Sequence, residues 1–327
     1  MNNAMRIPRT ISCLLVYVSI SGSLFACNVF NQRTQLPGVT YVTSLGNPAA
    51  SSLIWSPTDS TKLLVNANSL TSRHARVYIL DTITRKKTML VDTDEGDIGG
   101  SAWSPDGKHI ALSVVGGSKV FSQGGLWMIN TDDNSMENIF DKYGAAFWLP
   151  DGNTLAFQTV DFASSQNPRQ VSIYLTDFQT KELKLIYSNQ EAIAFSGLSP
   201  SPDGRYLVFS LMFDYYDDMD LHILEVQTGT VSQLTHNGVS SFPQWSPRGG
   251  LIAYQKWSKV DNKTISSLHI TLPDGSCDLE IPNVKYGFSP TWSPDGREIA
   301  FIGEDGIYVL DTDIVFGRDI YQELCPE

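Results

Sequence analysis

Trp103-Ser104-Pro105-Asp106-Gly107 leads into the apolar run Ile110-Ala111-Leu112, and the same arrangement returns along most of the chain. The other copies are Trp55-Ser56-Pro57, Trp148-Leu149-Pro150-Asp151-Gly152, Pro200-Ser201-Pro202-Asp203-Gly204, Trp245-Ser246-Pro247 and Trp292-Ser293-Pro294-Asp295-Gly296. Successive copies are separated by 48, 45, 52, 45 and 47 residues. Pro presets φ and Gly tolerates positive φ, so each triplet reverses the chain tightly at little steric cost. A period in the forties with several short strands per unit is the signature of a β-propeller blade.

Each repeat orders its segments alike. A strand ends at the Trp, a second follows the turn (Leu155-Ala156-Phe157, Ile299-Ala300-Phe301), and a third follows a variable loop (Val77-Tyr78-Ile79-Leu80, Ile307-Tyr308-Val309-Leu310). A polar turn then leads to a fourth, outer strand, so the fold class is all-β, a six-bladed propeller of four-stranded blades. The sixth unit lacks a fourth strand of its own. Thr40-Tyr41-Val42-Thr43 ends 12 residues before Trp55, as Thr88-Met89-Leu90-Val91 ends 12 before Trp103. This N-terminal strand is therefore expected to complete the last blade and close the ring, which removes exposed sheet edges.

Residues 292–301, with Ile307-Tyr308-Val309-Leu310-Asp311 beyond them, resemble the WD-like propeller repeat of the TolB family. The repeat is also similar to those in dipeptidyl-peptidase and prolyl-oligopeptidase propellers. The resemblance covers roughly residues 39–313; five copies are close, and the first carries Thr58-Asp59-Ser60 in place of Asp-Gly. TolB carries an α/β domain ahead of its propeller, whereas about eleven residues precede the first strand here. The resemblance therefore implies the propeller alone, not TolB itself. Such a repeat specifies fold strongly and function weakly.

The N-terminus reads as a processing segment. Arg6 and Arg9 precede an apolar stretch at 11–25, too short for a comfortable membrane span. Leu24-Phe25-Ala26-Cys27 resembles a bacterial lipobox, with Cys27 as the lipid attachment site; ordinary cleavage after Ala26 is the alternative. The expected organisation is a lipoprotein signal peptide at 1–26, a lipid-anchored tether at 27–38, the propeller at 39–313 and a C-terminal tail at 314–327. The eleven residues from Asn28 to Gly38 would reach at most ~40 Å, holding the propeller near a membrane.

Without Arg6 and Arg9, 21 basic residues face 35 acidic ones, a net charge of about −14. That field disfavours nucleic acid and suits a soluble exported surface. Of four cysteines, Cys13 leaves with the signal and Cys27 is the lipid site. Cys277 and Cys325 remain, either as a disulfide tying the tail to a blade or as two free thiols.

The six repeated Trp, Pro, Asp and Gly positions are structural by default. Specificity belongs to the longer loops between second and third strands and between blades, which emerge on one face. The partner-binding candidates there are Phe121, Phe162, Tyr215, Tyr216, Trp257 and Tyr143, with Asp94, Glu95, Asp97, Phe242 and Tyr286 on the same face. Asp214, Asp217, Asp218 and Asp220 crowd one loop, which is either a solvated acidic loop or a calcium site; no other cofactor or metal is expected. His74, His109, His222, His236 and His269 show no metal-ligand spacing, and the equivalent third-strand positions of His222 and His269 favour packing. No G-x-S-x-G, H-E-x-x-H, phosphate loop or sialidase Asp-box is present.

The first reading is a monomeric, lipid-anchored, non-catalytic scaffold in the cell envelope that binds an envelope protein or an extracellular polymer. The alternative is a carbohydrate- or peptide-active enzyme with its site at the channel mouth. An enzyme should bring a compact carboxylate, His or Arg cluster to that mouth; a scaffold should show aromatic residues without one.

Overall fold

A computed structural model describes residues 37–316, apart from 47–48, 70–73, 95–96, 117–119, 162–168, 215–217, 261–262, 283 and 285. Its strands form six separate four-stranded antiparallel sheets. The first strands of blades 1 to 6 are Ala49–Trp55, Asp97–Trp103, Ala145–Trp148, Ala194–Pro200, Ser240–Trp245 and Phe288–Trp292. Each touches the first strands of both neighbouring blades, closing a ring around one axis.

The repeat motif acts identically in blade after blade. Trp55, Trp103, Trp148, Pro200, Trp245 and Trp292 pair with Leu63, Ile110, Leu155, Leu207, Ile252 and Ile299. All six of these aliphatic partners are fully buried. In blade 2 the Gly107 N–H donates to Ser104 O at 2.8 Å, Ser104 Oγ donates to Asp106 Oδ1 at 2.6 Å, and the Lys108 N–H reaches that same oxygen at 3.0 Å. Blades 4 and 6 repeat this bonding through Ser201 and Asp203, and through Ser293 and Asp295. Gly107, Gly204 and Gly296 take φ of +72°, +70° and +66°, the left-handed region where a Cβ is costly.

The tryptophans fill the wedges between blades. Trp245 stacks on Tyr206 of blade 4, Trp148 lies against His109 of blade 2, and Trp292 Nε1 donates to Gln244 O of blade 5. Hydroxyls stitch the innermost strands together. Thr291 Oγ1 accepts from the Trp55 N–H at 3.1 Å, and Ser199 Oγ accepts from the Trp245 N–H at 3.0 Å.

Val39–Ser44 is the fourth strand of blade 6, antiparallel to Gly306–Asp311 with Val39 opposite Leu310 and Ser44 opposite Gly306. The N-terminal strand thus closes the ring. Val42, 2% exposed, packs with Val309 of its own blade and with Leu53 and Val65 of blade 1. Beyond Asp311 a single helical turn, Thr312–Val315, carries Phe316 into the blade 5–6 core, so packing continues past the expected boundary at 313. Among the described residues no helix is long and apolar enough to cross a membrane. Cys27 and the signal segment lie outside the described residues.

Candidate functional site

Bulges interrupt the first strands of five blades on the side from which the long loops emerge. Phe242 (φ +50°) and Ser289 (φ +52°) are in two of them, and Gly197 (φ +77°) is in a third. A Cβ on Gly197 would approach Phe242 Cα to 3.0 Å, so adjacent strands nearly touch there. The strands that line the axis carry one ionisable residue, Asp97.

A hollow lies on the long-loop face of blade 2, at the passage from blade 2 to blade 3. Val114, Val115, Gly116, Gln123, Gly125, Asp141 and Tyr143 line an open hollow of about 350 Å³. Glycine makes this shape possible, because a Cβ on Gly124 would meet the Gly116 nitrogen at 2.6 Å and one on Gly125 would meet Phe140 O at 2.1 Å. Gln123 donates its amide to the Asp141 carboxylate. A half-buried Tyr ring beside a carboxylate, an amide and bare backbone suits a polar ligand with an apolar face. Beyond the cleft, Lys142 bonds Asp161 at 2.9 Å and lies 5.2 Å from the Tyr174 ring.

The other sequence candidates fall differently. Trp257 is partly buried on blade 5, and its Nε1 donates to Ser241 Oγ at 3.0 Å, which fixes the ring at the mouth. Phe121 is a correction: it is 1% exposed, packs edge-on to Trp127 at 5.2 Å and belongs to the blade 1–2 core. The side chain turns inward because a phenyl ring gains more from burial than from solvent. Tyr286 is partly buried with φ +60°. Phe162, Tyr215, Tyr216, Glu95, Asp217 and Cys325 lie outside the described residues.

Asp214 and Asp218 are exposed, whereas Asp220 is buried and serves the fold. Its carboxylate accepts from Thr235 Oγ1 at 2.6 Å, from the Asn237 N–H at 3.0 Å and from the Gly238 N–H at 3.2 Å, pinning the passage from blade 4 to blade 5. Cys277 is disulfide-bonded.

Two polar clusters escaped the sequence reading. On the outer strands of blade 1, His74 Nε2 is 2.6 Å from Asp92 Oδ1, Arg76 Nε donates to Asp92 Oδ2 at 3.0 Å, and Asp94 lies 3.8 Å from His74 Nδ1. The His74 bond, aided by Arg76, holds the Asp92 carboxyl below the usual range. This cluster is at the rim and not at the channel mouth. On blade 5, His269 Nδ1 bonds Asp278 Oδ1 at 2.8 Å, while its counterpart His222 packs between Phe209 and Phe213. The signal available in sequence was the acidic residue just beyond the third-strand hairpin, which blade 4 lacks.

No protein-family model matches the chain. It is 25% identical over 224 residues to the Tol-Pal system protein TolB of Francisella tularensis, a stretch covering 67% of this chain and 49% of that protein. The chain thus spans about half the length of the curated relatives it matches. Among solved structures it resembles a putative TolB from Agrobacterium tumefaciens, with TM-score 0.60 and 18% identity over 84% of this chain and 96% of that one. It also resembles an oligogalacturonate lyase from Vibrio parahaemolyticus, with TM-score 0.54 and 13% identity over 84% and 93% of the two chains. At such identities the solved structures attest the fold alone.

Proposed function

We propose that this chain is a cell-envelope propeller, lipid-anchored through Cys27, that binds an envelope protein or an extracellular polymer through its long-loop face. The observation that carries the reading is the contrast between axis and rim. The axial strands hold a single ionisable residue, which leaves little for acid–base chemistry at the channel. Tyr143 at the blade 2–3 cleft and the hydrogen-bonded Trp257 set aromatic rings next to polar groups, the composition of a recognition surface. Similarity to TolB, named for a multiprotein system, supports a protein partner over a small metabolite.

Site-specific photocrosslinking in the native envelope tests the proposal. Probes at Tyr143 and Trp257 are expected to capture one common partner, and probes on the opposite face at Asp151 and Asp203 are not. Equal capture from both faces, or none from the loop face, overturns it. Separately, Cys27→Ser is expected to move the protein from the membrane fraction to the soluble one.

A further inference from the structure

Ser267, His269 and Asp278 stand on one surface of blade 5, on the side that fronts blade 4. Lys263–Thr271 is the third strand, so Ser267 and His269, two apart, project the same way. Directly opposite them on the second strand are Lys256 and Tyr254. Asp278 opens the outer strand and is paired with Thr271, on the same side again.

The hydrogen bonds run in one direction. Tyr254 OH donates to Asp278 Oδ1 at 2.7 Å and Lys256 Nζ donates to Asp278 Oδ2 at 3.0 Å. Partial burial opposes the charge on Asp278, yet the bonds from His269 and Tyr254 outweigh it and hold the carboxyl below the usual range. Burial, then the neighbouring Asp278, pushes the Tyr254 phenol above its ordinary value, so it remains a donor. An ionised Asp278 only accepts, which places the His269 proton on Nδ1, 2.8 Å away. In the neutral ring Nε2 is then an acceptor, and it lies 3.1 Å from Ser267 Oγ. With that tautomer the Ser267 hydroxyl is the donor. That is the bonding order of a nucleophile, its base and the group that orients the base.

We propose that Ser267 is a nucleophile for acyl transfer, with His269 as its general base and Asp278 as the positioning carboxylate, acting on O-acyl esters. Ser267 Oγ bonds to the ester carbonyl carbon as its proton passes to His269 Nε2. The tetrahedral alkoxide then collapses, the bond to the leaving oxygen breaks, and His269 returns the proton to that oxygen as alcohol is released. Water repeats the sequence on acyl-Ser267, giving the carboxylic acid and restoring the serine. Lys256, bonded to Asp278 Oδ2, and Tyr254, bonded to Oδ1, hold the positioning carboxylate in place. Ser267 is partly exposed on the flank of the ring, so an acyl group carried on a larger molecule can reach it. This site is separate from the blade 2–3 cleft and does not rest on the binding role proposed for that face.

The test treats the purified full chain with a fluorophosphonate probe and maps the adduct by peptide mass spectrometry. Modification is expected at Ser267, absent in Ser267→Ala and slowed at least a hundredfold in His269→Gln. Hydrolysis of p-nitrophenyl acetate should fall at least tenfold in Ser267→Ala, a change too small to unfold a blade, with thermal melting unchanged. No adduct at Ser267, labelling indifferent to His269→Gln, or equal ester hydrolysis by wild type and Ser267→Ala would each overturn the proposal.

Discussion

Asp106 and Asp203 show how much of this molecule rests on short-range bonding. The Ser104 hydroxyl, then the Lys108 N–H, hold the Asp106 carboxyl below the usual range; Ser201 and the Arg205 N–H do the same for Asp203. Because the folded values are depressed, these turns contribute stability that is complete above the unfolded carboxylate range and is lost as pH falls below it and through the lowered folded values. Melting temperature should therefore be flat from about pH 8 to 5 and drop below about pH 4. The double variant Asp106→Asn, Asp203→Asn should melt lower at neutral pH, by about 1 kcal/mol per turn, and lose less on acidification. Phe121 and Tyr143 separate fold from binding. Phe121→Ala should cost about 3–5 kcal/mol by chemical denaturation. Tyr143→Ala, at the cleft, should leave stability within about 1 kcal/mol and abolish partner crosslinking.

Hairpins record the same economy at the scale of elements. Between third and fourth strands Arg85, Asn134 and Lys181 take φ of 62°, 58° and 59°, where blade 4 has Gly229 at 73°. Each N–H closes onto the carbonyl four residues earlier, at 2.8 to 2.9 Å. Left-handed backbone strains an L residue, so Arg85→Gly should raise stability by about 0.5 kcal/mol, net of the entropy that glycine adds to the unfolded chain. The reverse holds at Gly125, where a methyl group would collide with Phe140 O. Gly125→Ala should cost about 2–4 kcal/mol and weaken partner capture by reshaping the cleft, as read by melting and crosslinking together. Turn chemistry marks such hairpins in sequence. The glycine crossover at 116 and 124–125 is different, since its tightness depends on which backbone lies across from it.

The molecule as a whole is held by a seam that joins its two ends. Val42 buries against blade 6 and blade 1 together, so the N-terminal strand both fills an edge and locks the ring. Val42→Asp places a charge in that seam and should cost about 3 kcal/mol or more, with self-association through the freed edge. Size-exclusion chromatography alongside thermal melting measures both effects; a monomeric variant of unchanged stability would show that the seam does not lock the ring.

Sequence by itself determined the number of blades, the position of each turn and the strand that closes the ring. These follow from local rules: Pro and Gly act on their own backbone, Ser and Asp bond N–H groups within five residues, and alternation sets the buried side. Only the tertiary structure decided where side chains on the long loops end up. Phe121 became core because Trp127 and the neighbouring sheet offered more buried contact than solvent did. Asp220 became a backbone anchor because its donors come from residues 13 to 18 positions away. The Ser267–His269–Asp278 chain exists because a hairpin folds residue 278 beside residue 269 and the second strand sets Tyr254 and Lys256 against it. Each of these outcomes depends on separations across strands and blades, which spacing along the chain does not encode.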